Sequence, residues 1–265
     1  MQRFTILLFL VVAVRWIPGS CQNNALVFQS DFGAKDGAVA AMKGVAYSVS
    51  RDLRIFDVTH EIPVYNIWEA SYRLHQSVPY WPANTVFVSV VDPGVGSARR
   101  SVVLKTKSGH YVVTPDNGTL SLVAESLGID QVREIDEVQH RLKNSEQSYT
   151  FYGRDVYAYT GAKLAAGLIT FEQVGPLIKG DIVRLNYQKV IYDKSEIRGN
   201  IPVLDIQFGN VWTNIDQQTF QKLQIENGDA VQVTIYYENK EVYKGTIPLV
   251  KTFADVDKGK EMCYL

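Results

Sequence analysis

At 265 residues the chain has room, at roughly 150 residues per domain, for one large domain or two ordinary ones. Its 46% hydrophobic and 21% charged residues suit a folded body and argue against disordered, collagen-like and polytopic membrane chains. Lys plus Arg (27) nearly cancel Asp plus Glu (28), so a formal net charge of -1 supplies no field to hold a polyanion, which disfavours nucleic acid as a partner. Cys21 and Cys263 stand at opposite ends and fit neither a disulfide framework nor a metal-ligand cluster, so no metal is expected.

Residues 1–24 read as an export signal. Arg3 is followed by an almost purely apolar run from Phe4 to Val14, then by Pro18, Gly19, Ser20 and Cys21. The run is too short to span a hydrocarbon core of about 30 Å, which takes roughly 20 residues. The small residues before Cys21 resemble a bacterial lipoprotein box, whose cysteine becomes a lipid anchor, although Pro18 stands where an aliphatic residue is usual. The expected location is therefore outside the cytoplasm, anchored at the membrane. The alternatives are a mis-assigned start, which would leave the protein cytoplasmic, and a buried helix.

From residue 25 to about 178, short β-branched runs alternate with helical stretches. Strands are predicted at 25–30, 53–58, 85–91, 101–106 and 110–113, and helices at about 36–50, 66–78, 118–127 and 153–167. This alternation predicts a layered α/β domain around a mixed or parallel sheet, with polar turns at the strand carboxyl ends, where such sheets bind ligands. Those turns are SDFG, DVTHE, DPGVG and TPDNG. Past Gly175, Pro176 and Gly180 the texture changes to strand signals with little helix: 181–193, 200–207, 230–239 and 241–250. Residues 179–265 are accordingly predicted to form a small all-β barrel or sandwich.

Seven strings follow one another along the chain: SDFG (30–33), DVTHEIP (57–63), DPGVG (92–96) with Arg99, TPDNG (114–118), TFYGRD (150–155), FGNVWTNI (208–215) and TFAD (252–255). Together they resemble the S-adenosylmethionine hydrolase (adenosine-forming) family, which also contains the bacterial fluorinase and chlorinase. The resemblance covers roughly residues 25–265. It implies an α/β domain followed by a β-barrel domain, a homotrimer with sites between subunits, and displacement at ribose C5′ of S-adenosylmethionine with release of methionine. The substrate is then the small-molecule partner, and no separate cofactor is implied.

The residue chemistry suits that substrate. Asp31, on a tight Asp-Phe-Gly turn, offers a carboxylate able to accept two ribose hydroxyls, or else it caps its own turn. Asn210 carries both donor and acceptor for an adenine edge, and Phe208 and Phe253 can pack on the rings. Asp205 matches the family's partner for the methionine ammonium, and Tyr65 falls where the halogenases carry a stacking Trp. The resemblance extends substrate contact to Asn117 of TPDNG and to Gly153. His60 in DVTHE is expected to cap a turn.

Asp92 separates the subfamilies. The halogenases carry Tyr there, whereas the hydrolases carry Asp with Arg seven residues on, as Asp92 and Arg99 do here. A carboxylate repels a halide about 4 Å away by about 4 kcal/mol at an effective dielectric of 20, whereas water can donate to it. Asp92 is expected to orient the water and take its proton late, with Arg99 stabilising developing hydroxide character; the alternative is a pair that only pins a loop. Two departures stand out. Tyr152 occupies the position of a family histidine and, with Gly153, resembles the chlorinase; as a phenol it donates a hydrogen bond but is no base near neutral pH. The chain also ends soon after TFAD, so the C-terminal domain is expected to be incomplete in this sequence. The readings that follow are hydrolysis to adenosine and methionine, a chlorinase-like halogenase, and an exported binding protein for adenosyl compounds without catalysis.

Overall fold

A computed structural model describes residues 24–265. Residues 1–23 of the expected export signal, Cys21 among them, lie outside the described residues. Within them the chain divides into two units, the first running to Leu185 and the second from Asn186 to Leu265. Among the described residues no helix is long and apolar enough to cross a membrane.

The first unit runs β1 (Ala25–Ser30), α1 (Ala38–Val49), β2 (Arg54–Thr59), α2 (Ile67–Ser77), β3 (Val86–Val90), β4 (Ser101–Thr106), β5 (Tyr111–Pro115), α3 (Ser121–Ser126) and β6 (Ile129–Glu134). A π-helical turn, Gly153–Ala158, then leads directly into α4 (Tyr159–Ala165). The six strands form one sheet in the order β2-β1-β3-β5-β4-β6. β1, β2, β3 and β5 are mutually parallel, and β4 pairs antiparallel with both β5 and β6. The five strands predicted between residues 25 and 113 are all present. β6 was not predicted, because IDQVRE is a polar edge strand with little apolar alternation to betray it.

Every residue of β1 and β3 is buried, as expected of central parallel strands covered on both faces. Alternation sorts their side chains. Leu26, Phe28, Val88, Val90 and Val113 face Met42 and Ala46 of α1 and Ala162 of α4. Val27, Phe87 and Val112 face Leu74 of α2 and Val123 of α3. The result is three layers, with the sheet in the middle. α4 lies close against β3: a Cβ at Gly161 would stand 2.5 Å from Val88 Cγ2. On the other side of the sheet, Asn66 starts α2 by accepting the Glu69 amide at 3.0 Å.

The second unit holds β7 (Ile191–Asp193), β8 (Glu196–Arg198), β9 (Val203–Asp205), β10 (Asn210–Trp212), α5 (Gln217–Gln221), β11 (Ala230–Tyr237) and β12 (Lys240–Pro248). They pair as three separate antiparallel ribbons, β7-β8, β9-β10 and β11-β12. The predicted β character holds, but only as these ribbons: among the described residues no ring of strands closes. Strand propensity is local, whereas closure requires a partner on both edges of every strand, and β7 to β10 are three residues each with one partner. The predicted strand over 181–193 is likewise reduced to β7. Its earlier backbone donors are taken by side chains of the first unit: Val183 N–H bonds Asp116 Oδ1 at 2.8 Å and Leu185 N–H bonds Ser121 Oγ at 2.8 Å. The predicted boundary near 178 therefore precedes a stretch that still packs on the first unit.

Asp116 is the centre of that attachment. Its carboxylate, 1% exposed, accepts Arg100 through Nε at 3.0 Å and through Nη2 as well as the Val183 amide, while Arg100 also reaches the Asp181 carbonyl at 2.9 Å. Removing Asp116 takes the acceptor from the Val183 amide and from Arg100, whose side chain is 34% exposed and can turn to water. Asp116→Ala is therefore expected to lower unfolding stability by about 1–3 kcal/mol. Urea unfolding followed by circular dichroism checks this; a loss below about 1 kcal/mol, the range of an exposed pair, would show that Asp116 does not anchor the segment.

Candidate active site

The sheet order places a topological switch point between β1 and β3, the position at which open α/β sheets form their ligand crevice. β1 connects outward to β2 on one side and β2 returns to β3 on the other, so the turns following β1 and β3 diverge at the carboxyl ends of adjacent parallel strands. The first turn carries Asp31 and the second Asp92, and the Asp31 amide bonds the Val90 carbonyl across the gap at 3.4 Å. β5 ends beside them with Asn117. β4, running the other way, enters the same end of the sheet directly after Arg99 and Arg100.

Asp31 is held from several sides. Its Oδ2 accepts the Tyr65 amide at 2.8 Å, with Tyr65 in the left-handed region at φ 64° and its ring largely exposed. Burial pushes the Asp31 carboxyl above its ordinary range, outweighing the backbone amides of Tyr65 and of Asp31 itself that pull it down, and the negative charge of Asp92 adds a smaller upward push. His60 stabilises the turn, as expected of it. Its Nδ1 meets Ser30 Oγ at 2.7 Å, its Nε2 meets Asp57 Oδ1 at 3.0 Å, and its carbonyl accepts the Gly33 amide at 2.7 Å.

Asp92 and Arg99 form a two-point ion pair. Arg99 Nε donates to Oδ1 at 2.9 Å and Nη2 to Oδ2 at 2.6 Å, with the Arg99 and Asp92 side chains 10% and 6% exposed. Burial opposes the guanidinium charge, but the bonds to Asp92 together with the electrostatic influence of Tyr157, Asp92 and Glu137 more than offset it, so Arg99 stays above its ordinary range and charged. Arg99 Nη1 also donates to Ser101 Oγ at 3.1 Å. The Arg99 guanidinium carbon lies 4.9 Å from the centroid of the Tyr152 ring, which places Tyr152 beside the pair. Gly153 makes this proximity possible, because a Cβ there would meet Val90 Cγ1 at 2.9 Å and the Phe32 ring at 3.3 Å.

Tyr157 belongs to the same centre and was not anticipated. Its ring is fully buried, its hydroxyl meets Asp92 Oδ2 at 3.4 Å and Ser101 Oγ at 3.3 Å, and Arg99 lies 5.6 Å from its centroid. Burial, reinforced by the Asp92 charge, pushes its phenol well above the ordinary range, so it remains a donor. The π-helical turn explains why it escaped notice. A helical reading pairs Tyr152 with positions three and four ahead, whereas a π turn brings the fifth residue round, and that residue is Tyr157.

Asn117 directs its amide inward. Nδ2 donates to the Val91 carbonyl at 2.8 Å, and Oδ1 accepts both the amide and the hydroxyl of Thr119, at 3.2 and 2.8 Å. It therefore ties the start of the Asp92 turn to the β5 end.

The remaining predicted residues lie in the second unit. Asp205 and Asn210 face each other across the β9-β10 ribbon, and Gly209 makes the turn at φ 72°. Asp205 Oδ1 accepts the Phe208 amide and Oδ2 the Asn210 side-chain amide, both at 3.3 Å. Phe208 and Phe253 are exposed. Tyr264 was missed by sequence reading, having no motif around it. Its ring packs against Phe253 at a tilt of 60° with centroids 4.8 Å apart, and its hydroxyl lies 3.5 Å from Asn210 Oδ1. Among the described residues no group of three or more His, Cys, Asp or Glu side chains is arranged to hold a metal ion.

Comparison with known proteins agrees with the motif pattern. The SAM hydroxide adenosyltransferase N-terminal domain matches residues 26–175, and the corresponding C-terminal domain matches residues 199–265. The chain is 37% identical over 223 residues to the (R)-S-adenosyl-L-methionine hydrolase of Methanocaldococcus jannaschii, covering 82% of this chain and 75% of the relative. The (R)-S-adenosyl-L-methionine hydrolase of Salinispora arenicola is 39% identical over 186 residues, 69% of each chain. A fluorinase of an Actinoplanes species is 30% identical over 267 residues, 92% of this chain and 88% of its own. Among solved structures, an uncharacterized conserved protein from Thermotoga maritima superposes with a TM-score of 0.82 at 35% identity, covering 90% of this chain and 88% of that one. With both family domains matched in order along most of its length, the chain belongs to the SAM hydroxide adenosyltransferase family.

Proposed function

We propose that this protein hydrolyses S-adenosyl-L-methionine to adenosine and L-methionine by attack of water at ribose C5′. The observation that carries the reading is the buried two-point Asp92–Arg99 pair at the switch-point crevice. Asp92 Oδ2 already accepts Arg99 and Tyr157, whereas Oδ1 accepts Arg99 alone and keeps a lone pair for one more donor. A water donating there is oriented for in-line attack. As its oxygen bonds C5′, the C5′–S bond breaks and the electron pair leaves on sulfur as a neutral thioether, which needs no general acid. The water proton passes late to Asp92 and then to solvent, and Arg99 stabilises the hydroxide character that develops. Positioning and desolvation supply most of the acceleration, and the step uses no cofactor.

Asp31 takes the ribose hydroxyls in this scheme, Asp205 the methionine ammonium, Asn210 an adenine edge, and Phe208, Phe253 and Tyr65 the apolar surfaces. A homotrimer with substrate shared between subunits, and completion of the β ribbons into a barrel, are part of the same proposal. They are supported by the family resemblance and, for shared sites, by the exposure of Phe208 and Phe253. Export with a lipid at Cys21 is proposed on the layout of residues 1–24. A second reading, halogenation, has a specific observation in its favour: Tyr152 and Gly153 stand beside the reacting pair as in the chlorinase pattern.

Turnover in oxygen-18 water is expected to place label on the adenosine 5′-oxygen; a 5′-chloro nucleoside formed on adding chloride would favour halogenation instead. Asp92→Asn keeps the shape but removes the acceptor charge, so turnover is expected to fall by about 10²–10⁴-fold with substrate binding by calorimetry largely retained. Undiminished turnover would reduce Asp92 to a loop pin. Asp31 must be ionised to accept the ribose hydroxyls, and its carboxyl is pushed up by burial and by Asp92. Affinity is therefore expected to weaken as pH falls through that raised value, at a higher pH than an ordinary aspartate would give. Asp31→Asn should weaken binding and flatten this acid limb in KM measured from mildly acidic to neutral pH.

A further inference from the structure

The Asp92–Arg99 pair is one side of a closed circuit of side chains. Arg99 donates to Ser101 Oγ at 3.1 Å, and the Ser101 hydroxyl in turn donates to Glu137 Oε1 at 2.7 Å. The other Glu137 oxygen accepts Arg141 Nη2 at 3.3 Å. The Arg141 guanidinium carbon lies 4.5 Å from the Tyr152 ring centroid, and Arg99 lies 4.9 Å from the same ring, which closes the circuit. The Arg141 side chain is 12% exposed and that of Glu137 32%. Arg141 also donates to the Ser148 carbonyl at 3.1 Å, fixing the stretch that reaches Tyr149, whose carbonyl would stand 3.0 Å from a Cβ at Gly96 in the Asp92 turn.

Glu137 and Arg141 lie in the segment between β6 and the π-helical turn, outside the strings that carry the family resemblance. Neither touches Asp92. We propose that they are positioning residues for the reaction: Glu137 sets Ser101 and through it the third donor direction of Arg99, while Arg141 sets the Tyr152 ring against which Arg99 is stacked. This rests on the reading that Asp92 orients the attacking water. The circuit carries two carboxylates and two guanidiniums, so its charges balance. Arg99 has its two Asp92-facing donors, its Ser101-facing donor and its stacking face all occupied, which leaves it no alternative rotamer without breaking a buried contact. Arginine suits both cationic positions because a planar guanidinium can stack and donate at once, which an ammonium cannot.

The test uses Glu137→Gln, Arg141→Met and Arg141→Lys in the full chain, after thermal melting has confirmed that each is folded. A small displacement of the nucleophile-orienting group can cost up to about 100-fold, so Glu137→Gln and Arg141→Met are expected to lower kcat by about 10- to 100-fold with KM within about twofold of the parent. Arg141→Lys, which keeps the charge but not the planar stack, should recover only part of the loss. A KM that rises while kcat holds, or rates unchanged in both variants, would overturn the proposal and leave the hydrolase reading intact. If the parent itself releases no adenosine, that reading fails, and the proposal is decided by hydrogen exchange at the Arg99 Nε–H followed by NMR. Faster exchange in Glu137→Gln and Arg141→Met supports the circuit, and unchanged exchange refutes it.

Discussion

A carboxylate and a guanidinium withdrawn from water to the degree of Asp92 and Arg99 need nearly ideal mutual geometry, because desolvating both charges costs about as much as their attraction returns. Much of the first unit answers that requirement. The parallel pairing of β1 with β3 puts the Asp92 turn next to Asp31. The reversal at β4 brings Arg99 back to the same end of the sheet. Asn117 ties the start of the Asp92 turn to β5, and Gly153 lets the π-helical turn approach closely enough for Tyr152 and Tyr157 to stand beside the guanidinium. A pair held in this way can lend one lone pair to water without rearranging, which is the electrostatic preorganisation that displacement at carbon needs.

Two neighbouring aspartates are held differently. Asp92 has a guanidinium bonded to both oxygens, whereas Asp31 has one backbone amide and faces the Asp92 charge. Asp31 is thus a partly desolvated carboxylate awaiting donors, a suitable state for a residue proposed to accept a diol. The His60 bridge between Asp57 and Ser30 keeps its turn in place without entering the crevice chemistry.

Legibility in the sequence followed the range of the interactions. Asp31, Asp92, Arg99 and Tyr152 each sit in a short string with a turn glycine or proline nearby, and such turns constrain their own residues. The Asp205–Asn210 ribbon is local in the same sense, since a four-residue connection brings the two side chains together. Tyr157, Ser101, Glu137 and Arg141 had no such signal. Ser101 lies 36 residues from Glu137 and Tyr157 lies 65 from Asp92, and the π turn shifts Tyr157 out of the helical register that a sequence reading assumes. Tyr264 meets Asn210 across 54 residues.

Sequence alone determined the alternation of strands and helices, the mixed α/β class of the first unit and the position of the polar turns, because periodicity and turn chemistry are set by neighbours along the chain, and its seven motif strings carried the family resemblance. Tertiary structure alone decided that the β-rich second unit forms three ribbons, that Val183 and Leu185 spend their backbone donors on Asp116 and Ser121, and that Arg99 is enclosed by two tyrosines and a serine. Each of these depends on which distant partner satisfies a hydrogen bond or a buried charge. That choice is made by packing and desolvation across the sheet, and no local pattern encodes it.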